Sequence, residues 1–123
     1  MSKFLDSLKG TVDLLNGAAD CLGKIVGKGK GVGYVMMSAP IVALLAQGIK
    51  TQLDKEQLKK VLAEKERVYQ ETLRRHEAAI KVLESKAEIA EERQRELLAY
   101  KDKLHDAILQ QQIEIRELKA QLG

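Results

Sequence analysis

The chain has 123 residues, enough for one ordinary domain, but only four aromatic side chains (Phe4, Tyr34, Tyr69 and Tyr100) and no Trp to supply the bulk of a core. The excess of basic over acidic groups lies in residues 1–50, where six Lys face three Asp; residues 51–123 carry fifteen basic and fifteen acidic side chains. Balanced signs along most of the chain, without interleaved aromatic residues, disfavour nucleic acid as a partner. Cys21 is the single cysteine, which excludes an intrachain disulfide and a thiolate metal cluster.

The composition predicts an all-α protein in three parts: residues 1–30, 31–50 and 51–123. The opening MSKFLDSLKG places Asp6 in its first turns and has no clean apolar region, so no cleavable signal peptide is expected. Leu5, Leu8, Val12, Leu15, Ala19, Leu22 and Val26 then recur at spacings of three and four, the pattern of an amphipathic helix. Gly10, Gly17 and Gly23 either allow close helix packing or weaken this helix, and the sequence does not separate the two.

Gly27, Gly29, Gly31 and Gly33 alternate through GKGKGVG, which reads as a loop. A phosphate-binding P-loop is excluded, because no Lys here precedes Ser or Thr and no strand pattern precedes the run.

Nineteen residues between Lys30 and Lys50 carry no charge. As a helix they would extend about 28 Å, near the roughly 30 Å hydrocarbon core of a bilayer. The expectation is therefore a membrane location, with Val35, Met36, Met37, Pro40, Ile41, Val42, Leu44 and Leu45 in lipid and Lys28, Lys30 and Lys50 at the headgroups. A helix buried inside an oligomer is the competing reading. Lys50, Lys55, Lys59, Lys60, Lys65 and Arg67 outnumber Lys24, Lys28 and Lys30 on the other flank, placing the following segment on the cytoplasmic side.

From Ile49 to Leu122 there is neither Gly nor Pro, and strong helix formers dominate. Thr51-Gln-Leu-Asp54 resembles a capping box, and Glu56–Lys60, Glu71–Arg75, Glu77–Lys81 and Glu91–Arg95 are spaced to pair along one helix. One uninterrupted helix on the order of 100 Å is expected. Such a helix needs a partner along a seam. With Leu73 at heptad position a, the apolar seam comprises Leu62, Tyr69, Leu73, Ile80, Leu83, Ala87, Ala90, Leu97, Leu104, Ile108, Ile115, Leu118 and Leu122. His76, Gln94, Lys101 and Gln111 interrupt it. Leu98, Tyr100 and Leu109 fall outside it and suggest contacts with two neighbours, as in a ring. Without a Gly or Pro break the helix is not expected to fold back, so the partner is another copy of the chain or another long helix.

No catalytic chemistry is indicated, and no cofactor, metal or small-molecule substrate is expected. His76-Glu77-Ala78-Ala79 begins like a zinc-protease helix, but Ile80 stands where the second His belongs. Asp102 and His105 lie one turn apart without the further carboxylates of a diiron bundle. The leading expectation is a non-enzymatic, membrane-anchored homo-oligomeric scaffold. Its alternatives are a pore formed by a hairpin of residues 4–49 and a soluble helical filament or adaptor.

Overall fold

The computed structural model describes residues 3–27, 33–47, 53–85 and 88–123. Within them lie four helices and no strand: α1 (Lys3–Val26), α2 (Ala39–Ala46), α3 (Lys55–Glu84) and α4 (Glu91–Leu122). The all-helical expectation holds, and the single long helix does not.

That helix divides between Glu84 and Glu91, and its halves pack against each other. Lys65 meets Glu114, Tyr69 meets Gln112 and His76 meets His105, so α3 and α4 run antiparallel. Among the described residues of the break none is left-handed: Ser85 (ψ 132) and Ala90 (ψ 137) turn to extended backbone, with the Ser85 hydroxyl donating to Val82 O at 2.7 Å. Absence of Gly and Pro removes the usual stop signals without forbidding a stop. Helix propensity is a fraction of a kcal/mol per residue, and packing two apolar faces together outweighs it.

Helix α1 completes a three-helix bundle, contacting both α3 and α4. Lys3 pairs with Glu117, while Tyr100 packs on Gly17, so α1 is antiparallel to α4 and parallel to α3. Contact with two helices explains why its buried face is wider than one stripe: Phe4, Thr11, Ala18 and Cys21 are buried beside Leu5, Leu8, Val12, Leu15, Ala19 and Leu22. Val26 is half-buried.

Two parallel helices need a crossover running their length. Residues 33–38 form no helix and α2 has eight residues, together able to reach about 30 Å against about 36 Å for the 24-residue α1. This corrects the reading of residues 31–49 as a membrane helix. Among the described residues no helix is long and apolar enough to cross a membrane, which overturns the expected membrane location and, with it, the cytoplasmic placement inferred from a span. The segment is apolar because it covers the bundle: Val35, Ile41 and Leu44 join the core, Met37 and Leu45 pack against it, and Met36, Pro40 and Val42 face outward. Lys28, Lys30 and Lys50, assigned to headgroups, lie outside the described residues, as does Thr51. The capping box that opens α3 is formed instead by Asp54 and Gln57.

Candidate interaction site

The crossover segment 33–38 lies along α1 and α3, held by side chains acting on its main chain. Asn16 of α1 clasps Val35 from both sides of one peptide-like pair: its amide donates to Val35 O at 3.1 Å, and its carbonyl accepts from Val35 N at 2.7 Å. From α3, Arg67 Nη2 donates to Met36 O at 2.7 Å, Arg75 Nη2 donates to Gly33 O at 2.5 Å, and Glu64 Oε2 accepts from Ser38 N at 2.5 Å. The Tyr34 hydroxyl donates to Asp20, a bond that holds the phenol above its ordinary pKa. Val35 alone among residues 33–36 is buried; Tyr34 and Met36 are 67% and 79% exposed.

The charges around this segment are unevenly matched. Burial would raise the Glu64 pKa, but hydrogen bonds from Arg67 and Ser38 outweigh it and hold the carboxyl below its usual value. Arg75 is 7% exposed, uses one nitrogen on Gly33 O, and leaves Nε and Nη1 without an acceptor. Glu71 stands 3.9 Å from Arg75 Nη2.

A second polar cluster ties the bundle at its centre. Lys65 Nζ donates to Glu114 Oε1 at 2.7 Å and to Gln111 Oε1 at 3.0 Å, while Gln111 Nε2 donates to Thr11 at 2.8 Å and Ser7 at 3.1 Å. Gln110 also donates to Glu114. Burial lowers the Lys65 pKa more than Glu114 raises it. Every polar partner belongs to another helix or to the next turn, so the cluster fixes the register of α1, α3 and α4.

The heptad stripe is distributed inside the chain. Leu97, Leu104 and Leu118 are fully buried: Leu97 packs with Cys21 and Leu22, and Leu104 and Leu118 join the main core. Leu62, Tyr69, Leu73, Ile80, Leu83, Ile108, Ile115 and Leu122 are half-buried, Ala90 is exposed and Ala87 lies outside the described residues. Two of the four interruptions have side-chain partners: Gln111 in the buried cluster and His76 edge-on to His105, with ring centroids 5.9 Å apart. Burial, then His105 and Lys101, lower the His76 pKa. Among the described residues no three His, Cys, Asp or Glu side chains converge as a metal site.

Outside these contacts α4 carries Leu98, Leu109 and Ile113 at 40%, 48% and 51% exposure. Their spacings return them to one face of the helix. The sequence singled out Leu98 and Leu109 but not Ile113, nor the main-chain clasp by Asn16, Arg67 and Arg75. Helical periodicity marks apolar faces and carries no sign that a polar side chain will grip distant backbone. No protein-family model, curated protein or solved structure matches the chain.

Proposed function

We propose that the protein is a non-enzymatic helical scaffold subunit that associates with another copy of itself through the outer face of α4. The observation that carries this reading is the exposed stripe of Leu98, Leu109 and Ile113 on a 32-residue helix whose other faces are committed to α1 and α3. Large apolar side chains aligned on one exposed face favour burial against a similar surface. The fifteen acidic and fifteen basic groups of residues 51–123 leave little net repulsion between two copies. The α3–α4 hairpin supplies a rigid element on which such a face is presented.

Light scattering over a range of protein concentrations tests the reading. A mass that rises toward a multiple of the monomer, and returns to the monomer in the double variant Leu109→Asp with Ile113→Asp, is expected. A monomer at every concentration would refute self-association.

A further inference from the structure

We infer that the cleft between α3 and α4 lined by Tyr69, Ile115 and Arg116 binds a small organic monoanion, a carboxylate carried on an apolar body. The site shares no residue with the exposed stripe of Leu98, Leu109 and Ile113, and stands whether or not that stripe binds another copy.

Two observations carry the inference. The first is the size of the cleft and what its walls are made of. Its volume is about 590 Å3, within the range of roughly 300–1,000 Å3 that small-molecule sites occupy. On α4 the spacing of Gln112, Ile115, Arg116 and Lys119 puts them on one helix face, and Tyr69 stands opposite on α3. Tyr69 and Ile115 are half-buried, yet neither belongs to a core cluster of the bundle. Their apolar surface is left for the body of a ligand.

The second observation gives the ligand its charge. Arg67, Arg116 and Lys119 border the cleft against the single acid Glu66. Two of these cations are already matched: Arg67 Nε donates to Glu64 at 2.6 Å, and Lys119 stands 3.7 Å from Glu66. Arg116 is exposed and has no ion pair or hydrogen bond among the described residues, so one positive charge is left over. That surplus fits a monoanion. On the same cleft the Tyr69 oxygen accepts from Gln112 Nε2 at 2.9 Å, and the phenol proton has no acceptor among the described residues. The unused groups are thus all donors, an O–H and a planar guanidinium fork, which a carboxylate satisfies and an amine does not.

The test titrates the full chain with three probes and follows its backbone amides by NMR. The probes are 2-naphthoate, which has both the head and the body; its neutral amide, which keeps the body; and acetate, which keeps the head. The naphthoate is expected to saturate, to move amides of Tyr69, Gln70 and the Gln112–Lys119 stretch, and to bind about tenfold or more tighter than either other probe. Arg116→Gln should abolish its advantage over the amide, and Leu109→Asp should preserve it. Arg116 touches no described partner, so its loss leaves the bundle folded; the comparison of acid with amide in the unaltered chain needs no variant at all. Equal affinities of the acid and the amide, an advantage that survives in Arg116→Gln, shifts centred on Leu98, Leu109 and Ile113, or no saturation with naphthoate would each overturn the inference.

Discussion

The ammonium of Lys65 lies 2.7 Å from the carboxylate of Glu114, with side-chain exposures of 0% and 3%, at the place where three helices meet. Taking two charges out of water is costly, and only good geometry with further hydrogen bonds offsets it. Here Gln111 and Gln110 supply those bonds. Glu114→Ala leaves a buried cation without its counter-charge and is expected to cost about 3–5 kcal/mol in urea unfolding. Lys65→Met combined with Glu114→Leu removes both charges and should restore stability to near the starting value or above it. A double variant as unstable as the single one would show that the pair is needed for more than mutual neutralisation.

How α4 begins offers a gain in stability. Its N-cap position is Ala90, which makes no side-chain capping bond, whereas α3 opens with the Asp54–Gln57 capping box. Ala90→Asp supplies an acceptor for the free N–H groups of the first turn and a negative charge at the positive end of the helix dipole. We expect a gain of about 1 kcal/mol, read as a higher melting temperature. Asp54→Ala should lose a similar amount.

These two termini also show what was legible beforehand. The amphipathic pattern of residues 4–26 marks α1 because it recurs with the helical period, although contact with both α3 and α4 widens the buried face beyond that stripe. The apolar run at 31–49 misleads because length and lack of charge suit a bilayer and a crossover equally; the non-helical backbone at residues 33–38 is what separates them. The break at residues 85–90 leaves no mark in turn residues, since Ser85 and Ala90 reach extended backbone without strain. The heptad pattern assigns Leu97, Leu104 and Leu118 to a seam with another helix; the burial they have comes from α1 and the hairpin within one chain.

Acidification should weaken the fold in two stages. His76 has a pKa below its ordinary 6.5, from burial first and then from His105 and Lys101. In the window just below 6.5 the unfolded chain therefore binds more protons than the folded one, and stability falls as pH falls. This contribution is whole above 6.5 and is lost as pH drops through the depressed folded value. Glu64 adds a lower stage: its folded pKa is below 4.5, so its contribution is whole above that value and is lost as pH falls through the folded one. Melting curves from pH 8 to pH 3 should show both losses, the upper one below about 6.5 and the lower one below about 4.5. His76→Gln should flatten the upper stage only; an unchanged profile would remove His76 from the account.

The three glycines of α1 separate by what lies beside them. A Cβ at Gly17 would stand 2.8 Å from the Tyr100 hydroxyl and 3.2 Å from Cε1, whereas Gly10 and Gly23 face open space. Ala in place of a helical glycine gains about 0.5–1 kcal/mol where nothing is displaced. Gly10→Ala and Gly23→Ala should each raise the melting temperature. At Gly17 the same gain is opposed by moving Tyr100, which is packed against both core clusters, so Gly17→Ala should gain less than either. Equal gains at all three positions would mean that Tyr100 moves aside freely.

Substitutions on the two faces of α4 distinguish folding from assembly. Leu104 is fully buried in the bundle core, while Leu109, five residues on, is 48% exposed. Leu104→Asp forces a carboxylate into an apolar core and should unfold the chain, with loss of helical circular dichroism. Leu109→Asp places its charge in water and should leave the melting temperature nearly unchanged. If self-association uses the outer face, it is nevertheless Leu109→Asp that returns the protein to monomer in light scattering, at full helical content. Were Leu109→Asp to leave the assembled mass intact, the stripe on α4 would have no part in holding copies together.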